Sequence, residues 1–233
     1  MKLSLTRRNA IRRWLGLIAV LLGLLVLLPY AVAPLYRVID PISTPMLWRM
    51  FRGARVEQIR VPIGQIAPVL SLTVAEDARF CGHSGIDWQG INEAIGDAYE
   101  GDKLRGGSSI PQQLAKNLFL WQGRSYVRKL LEIPLALWLD LVLGKRRLIE
   151  MYLNVAEWGP NGEFGIEAAA RRAFHRSARN LAPRDAALLA AVLPNPRRRD
   201  AARPRPIVQR LAAIYERRAQ HSPQLDACVY RDR

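Results

Sequence analysis

Between Arg13 and Arg37 the chain runs through 23 residues without a charged side chain, centred on Leu15 to Leu28. A helix rises about 1.5 Å per residue, so roughly 20 residues cross the ~30 Å hydrocarbon layer of a bilayer, and this stretch is long enough. Trp14 at one end and Tyr30 or Tyr36 at the other suit the two water–lipid interfaces. Lys2, Arg7, Arg8, Arg12 and Arg13 precede the stretch with no acid among them. Such a cluster holds the N-terminus in the cytoplasm and sends the C-terminal part of the chain across the membrane. Ala31-Val32-Ala33 also has the small-residue pattern of a cleavable signal peptide. Pro34 directly after it suits a signal peptidase poorly, so a retained anchor is expected. Export of the remainder holds on both readings.

The rest of the composition fits a folded, exported domain. Half of the 233 residues are hydrophobic and 24% are charged, which excludes disorder as the dominant state and leaves ample material for a core. The formal charge of +15 admits nucleic acid, an anionic membrane surface or a phosphate-bearing substrate. Its distribution narrows the choice. Residues 1–13 carry +5, residues 14–196 carry +4 from 20 basic and 16 acidic side chains, and residues 197–233 carry +6 from 10 and 4. The nearly balanced middle argues against a nucleic-acid-binding face, so no nucleic acid is expected as a partner. The C-terminal excess is expected against anionic headgroups or in solvent. Cys81 and Cys228 are too few for a disulfide framework or a four-cysteine zinc site. Whether they pair is left open.

The pattern divides the chain into a basic segment (1–13), a transmembrane helix (14–36), a Pro-containing lead-in (37–68), a main folded domain (69–200) and a basic C-terminal helix and tail (201–233). A short helix is expected around Met46 to Arg52. Helical spacing of apolar residues then recurs over Ile91–Tyr99, Ile110–Leu120, Val127–Val155, Gly165–Phe174, Arg184–Leu193 and Ile207–Gln220. Pro134 and Gly144 interrupt the longest run, which is expected to form two helices. Alternating strand patterns are nearly absent, so the exported part reads as one mainly α domain.

Several clusters carry chemistry. Glu76 heads Glu76-Asp77-Ala78-Arg79-Phe80 after the apolar run Val69 to Ala75. A carboxylate at the edge of apolar surface has its ionised form desolvated, which suits it to acid/base work, although a solvated helix cap is the plainer reading. His83, His175 and His221 are scattered too widely for a metal site, and a structural hydrogen bond is expected of His83. In Gly106-Gly107-Ser108-Ser109-Ile110-Pro111-Gln112-Gln113, Ser109 can cap a helix, with Gln112 closing a capping box and Pro111 in the first turn. Such a helix start can hold an anion, or it can be an ordinary capped helix. Lys116 lies one turn beyond Gln112 and Gln113, followed by Arg124, Arg128, Lys129 and Glu132. The group reads as a surface ion-pair ladder or as the counter-charge for a pyrophosphate leaving group. A P-loop, Gly-x-Gly-x-x-Gly, Gly-x-Ser-x-Gly, His-Glu-x-x-His and Ser-x-x-Lys are all absent from the sequence.

Five segments in order resemble the peptidoglycan glycosyltransferases of glycosyltransferase family 51, its monofunctional members most of all. They are Glu76 to Phe80 with His83-x-Gly85-x-Asp87; Gly106 through Asn117; Arg128-Lys129-x-x-Glu132; Lys145 through Tyr152-Leu153-Asn154; and Ala187 through Pro194. The family usually has Thr where Ser109 and Pro111 stand, so a ligand role at position 111 is not carried over; nor does the family assign Glu150 a role.

The resemblance implies a lysozyme-like, two-lobed helical fold and polymerisation of lipid II with inversion at the anomeric carbon. It makes Glu76 the base and Glu132 a second catalytic carboxylate. Ser108, Gln112, Gln113, Lys116, Asn117, Arg124 and Arg128 become substrate-binding residues. No cofactor is required on this view, although a divalent metal, Mg or Mn, could bridge pyrophosphate and carboxylate. Lipid II, the growing glycan strand and membrane lipid are the implied partners, with cell-wall synthesis or division proteins as further candidates. The implied location is the inner membrane, with the catalytic domain in the periplasm. No peptide cross-linking is expected without Ser-x-x-Lys. A lysozyme-like glycan-cleaving enzyme and a noncatalytic membrane-anchored scaffold are the alternatives.

Overall fold

A computed structural model of the chain describes residues 5–66, 75–99, 107–123, 125–221 and 227–230. Most of the apolar run expected ahead of Glu76 (69–74), Gly106 and Arg124 lie outside the described residues.

Helix α1 (Leu5–Val32) contains the uncharged stretch. Its side chains are exposed from Ile11 to Leu28, and among the described residues it is the one helix long and apolar enough to cross a bilayer. Side chains this apolar, left uncovered by the rest of the fold, fit a lipid-facing anchor. Its end is held to the domain. Trp138 Nε1 donates to the Tyr30 carbonyl at 3.0 Å, and Arg147 Nε donates to that of Tyr36 at 2.8 Å. The Tyr36 ring stacks on Phe119, with centroids 5.9 Å apart, inside a 3₁₀ turn (Ala33–Arg37).

The body is mainly helical, as the periodicity predicts. After α1 come α2 (Thr44–Phe51), α3 (Trp88–Tyr99), α4 (Ile110–Phe119), α5 (Tyr126–Val155), α6 (Ile166–Phe174), α7 (Pro183–Val192), α8 (Pro206–His221) and the short α9 (Ala227–Tyr230). The long α5 has one true break, at Gly144 with φ 71° and ψ 162°, where a side chain would be strained. Pro134 stays within the helix, exposed, so of the two expected interruptions only the glycine divides it. The residues from Ala186 to Val192 are all buried, which makes α7 a central helix apolar on every side. A two-residue parallel pairing of β1 (Glu57–Gln58) with β2 (Glu163–Phe164), unforeseen from the sequence, ties the lead-in to the segment before α6.

Helix α8, the helix expected within the basic C-terminal segment, packs along α7. Cys81 and Cys228 form a disulfide with Cα atoms 5.6 Å apart, which seats α9 beside the Phe80–Gly82 turn. Arg146 Nη1 donates to the Val229 carbonyl at 2.9 Å, adding a second hold on α9.

Candidate active site

Helix α4 is the platform of the site. Ser109 adopts an extended backbone and caps it; its Oγ accepts from Gln112 N at 3.4 Å while Gln112 Oε1 accepts from Ser109 N at 3.0 Å. Ser109 Oγ also donates to the Gly85 carbonyl at 2.6 Å. A cap of this kind contributes about 1 kcal/mol. Asp77, buried, satisfies another donor at the same helix start by accepting from Ile110 N at 2.9 Å. The His83 ring meets the same carboxylate at 3.0 Å, which gives His83 the structural role expected of it. Gly85 (φ 75°) is needed here, because a Cβ would lie 2.8 Å from the Ala136 carbonyl oxygen of α5. The Glu76–Asp87 block is thereby locked onto α4 and α5.

Glu76 stands next to this cap, half-buried. Gln113 Nε2 donates to its Oε2 at 2.8 Å, and the Tyr152 hydroxyl donates to Gln113 Oε1 at 2.8 Å. Burial pushes the Glu76 carboxyl above the ordinary range, helped by the neighbouring Asp77 charge. The Gln113 hydrogen bond and the Lys116 and Arg199 charges pull the other way. Burial also holds Tyr152 well above its ordinary value, so it remains a proton donor to Gln113.

A cation group gathers at the start of α5. Glu132 is 2% exposed and pairs with Arg128 one turn earlier. Lys129 Nζ donates to Glu132 Oε2 at 2.8 Å and to Ser108 Oγ at 2.6 Å. Burial and the adjacent Arg128 and Lys116 charges bring the Lys129 ammonium down to about 8. Lys116 is lowered too, first by burial and then by Arg128, with Glu76 opposing. Ser108 joins the two halves of the site, since its carbonyl accepts from Gln113 Nε2 at 3.3 Å while its hydroxyl meets Lys129.

A cleft of about 500 Å³ opens at Glu76. Asp77, Arg79, Asp87 and Glu93 form one side, and Leu211, Ile214, Tyr215 and Arg218 of α8 form another. A carboxylate with a raised proton affinity in a cleft, beside a nest of half-buried cations, can take a proton from a hydroxyl while the cations meet a departing anion.

The sequence profile of the transglycosylase family matches residues 46–219, which contain every one of these groups. The chain belongs to the transglycosylase family. The biosynthetic peptidoglycan transglycosylase of Nitrobacter hamburgensis is 50% identical over 224 residues, covering 95% of this chain and 99% of that protein. The protein of that name from Rhodopseudomonas palustris is 53% identical over 220 residues (93% and 96% covered). Its namesake from Rhizobium meliloti is 48% identical over 229 residues (97% and 96%).

Within this transglycosylase the expected site residues separate into groups. Glu76, Ser108, Gln113, Lys116, Arg128 and Glu132 come together. Gln112 lies apart from them: it is 2% exposed and its side chain closes the capping box. Gln113 is hydrogen-bonded to both Glu76 and Tyr152. Asn117 meets Thr44 through its carbonyl, at 3.2 Å. Arg124 lies outside the described residues. Glu150, left without a role by the sequence, accepts from Ile63 N at 2.8 Å and pairs with Arg147, so it holds the lead-in. Asn154 clamps the same segment through both Val61 N and Val61 O.

Tyr152 and the α8 wall were not among the expected site residues, and Lys129, read as part of the cation cluster, was not carried into the expected substrate-binding set. Lys129 carried a signal, since i to i+3 spacing places it beside Glu132; the α8 residues are brought in by packing alone. Among the described residues no three His, Cys, Asp or Glu side chains converge into an all-protein metal cage, and Glu132 is held between Arg128 and Lys129. A divalent ion shared with a diphosphate would call on only one or two carboxylates.

Proposed function

We propose that the chain is a membrane-anchored peptidoglycan glycosyltransferase that polymerises lipid II into β-1,4 glycan strands and releases undecaprenyl pyrophosphate. The observation that carries this reading is the pairing of a half-buried Glu76 with the Lys116–Arg128–Lys129 cation group across Ser108. Glu76 takes the proton from the 4-hydroxyl of the acceptor N-acetylglucosamine as that oxygen attacks the anomeric carbon of the donor N-acetylmuramic acid. The C–O bond to pyrophosphate breaks on the opposite face, and the configuration inverts. The proton resides on Glu76 and passes to solvent through the cleft.

Lys116 and Lys129, with Arg124, balance the charge on the leaving diphosphate, while Arg128 and Glu132 fix the cations in place. In this reading α1 crosses the inner membrane from a cytoplasmic N-terminus, and the domain works on the periplasmic side, where lipid-linked substrate is presented at the bilayer surface.

A glycan-cleaving enzyme also needs a carboxylate in a cleft, but it has no leaving diphosphate for the cations to meet. Labelled lipid II in detergent separates the readings. Long glycan from the wild type and at least a hundredfold less from Glu76→Gln, about the lower bound for loss of a general base, is the expected result. Shortening of preformed glycan by the wild type would assign cleavage instead, and absence of both reactions would leave a scaffold.

A further inference from the structure

A second concavity, about 550 Å³, lies between α2 and the C-terminal end of α4, walled by Trp48, Phe119, Leu120 and Trp121. Trp48 and Trp121 are 46% and 49% exposed, far more than core aromatics, and Leu47, Met50 and Phe51 of α2 extend the apolar surface outward. The two walls are fixed to each other: Thr44 Oγ1 donates to the Leu120 carbonyl at 2.7 Å and to that of Asn117 at 3.2 Å. Arg52 lies over the Trp48 ring, 4.3 Å from its centroid.

Two features say what such a groove would hold. Phe119 is shared between the groove and the stack on Tyr36, the last uncharged residue of the anchor, so the groove opens where the chain leaves the bilayer. Lys116 and Phe119 are three residues apart on α4, about 4.5 Å of rise and on neighbouring faces. The loop bearing Trp121 and Gln122 is tied back to the cation group, because Arg128 Nη2 donates to the Gly123 carbonyl at 2.8 Å. A cationic site and an apolar groove one helical turn apart match a ligand whose anionic head is joined directly to a long hydrocarbon tail.

We infer that this groove seats the proximal isoprene units of the polyprenyl tail while the pyrophosphate rests on the Lys116 group. The inference builds on the lipid-linked reading of the active site and adds the tail's location. It makes Trp48 and Trp121 tail-binding residues whose work is to orient the head rather than to take part in bond exchange.

The test compares undecaprenyl pyrophosphate with inorganic pyrophosphate, which has the anionic head and no tail. Each displaces a fluorescent geranyl-pyrophosphate probe from the full-length protein in detergent. The wild type is expected to prefer the ligand that carries the tail. Trp121→Ala and Trp48→Ala are each expected to cut that preference about tenfold, the scale of losing one aromatic wall. Trp121→Phe, which keeps an aromatic surface, is expected to retain most of it.

A preference unchanged in the alanine variants, including an equal loss for both ligands, overturns the assignment. So does erasure of the wild-type preference by equimolar phosphatidylglycerol, which would give the groove to bilayer acyl chains. Because the readout is binding, failure of the polymerase reading shows separately, as absent glycan with the tail preference intact.

Discussion

Gln113 presents its Nε2 to Glu76 and its Oε1 to Tyr152, each at 2.8 Å. The ionised Glu76 carboxylate can only accept, so it draws the amide Nε2 toward itself and leaves Oε1 to accept from the Tyr152 hydroxyl, which burial keeps protonated. The donor aimed at Glu76 favours its ionised form, in part offsetting the burial that disfavours it. Replacing Gln113 with leucine removes that donor. The Glu76 carboxyl should then rise further, and the acid limb of the pH profile of kcat/KM should move to higher pH. Turnover at neutral pH should fall about tenfold or more. Tyr152→Phe should shift the limb the same way by less. An acid limb that stays in place in Gln113→Leu would show that the contact does not tune the base.

Glu76 also bears on stability. Its carboxyl is raised in the folded state, so folding favours the protonated form. The associated stability is full below the unfolded value and is lost as pH rises through the folded one. At neutral pH the ionised, half-desolvated carboxylate therefore costs stability. Glu76→Gln should melt at a higher temperature than the wild type at pH 7, with the gap closing at low pH. Thermal melts in detergent across pH check this, and a variant less stable at pH 7 would contradict the desolvation account.

Lys129 sets the alkaline side. Lowered to about 8 by burial and by the neighbouring Arg128 and Lys116 charges, it loses its proton just above neutrality. The counter-charge for the leaving group then weakens, so an alkaline limb near pH 8 is expected in kcat/KM, which follows the free enzyme. Lys129→Arg keeps the cation at all working pH values and should move that limb upward, while arginine's broader head, fitting Ser108 and Glu132 less well, should lower the plateau a few-fold. The decisive measurement is the limb's position, read independently of the plateau.

What the sequence made legible was local or periodic. Ser109 and Gln112 are three residues apart, and that spacing alone specifies the capping box. Likewise, uncharged length alone marks the anchor. Gly144 and Pro134 looked equivalent as breaks, but only Gly144 takes a backbone conformation that ends a helix, whereas Pro134 keeps a helical φ and costs one hydrogen bond on an exposed face. Residues that meet through packing were not legible. Tyr152 is 39 positions from Gln113, and the α8 wall is still farther from Glu76 along the chain. Gln112 and Gln113 look alike in the motif, but adjacent residues stand about 100° apart on a helix, so one side chain turns to the Ser109 cap and the other to Glu76.

The pairing of Cys81 with Cys228 joins positions 147 residues apart, and one partner lies five residues after Glu76. Closing a loop of that length removes unfolded-state entropy worth about 5 kcal/mol in the chain-entropy model, of which about 2–4 kcal/mol is typically realised. Cys81→Ala, Cys228→Ala and the double variant should each lose stability in that range, and the double should be no worse than either single. Dithiothreitol should bring the wild type to the same level and leave the variants unmoved. Loosening α9 and the Phe80–Gly82 turn should disturb the Asp77 cap next to Glu76, so turnover should fall a few-fold under the same conditions. Denaturant titrations with and without reductant measure the first effect and lipid II polymerisation the second. A wild type indifferent to reductant in both would remove the disulfide from any account of this fold's stability.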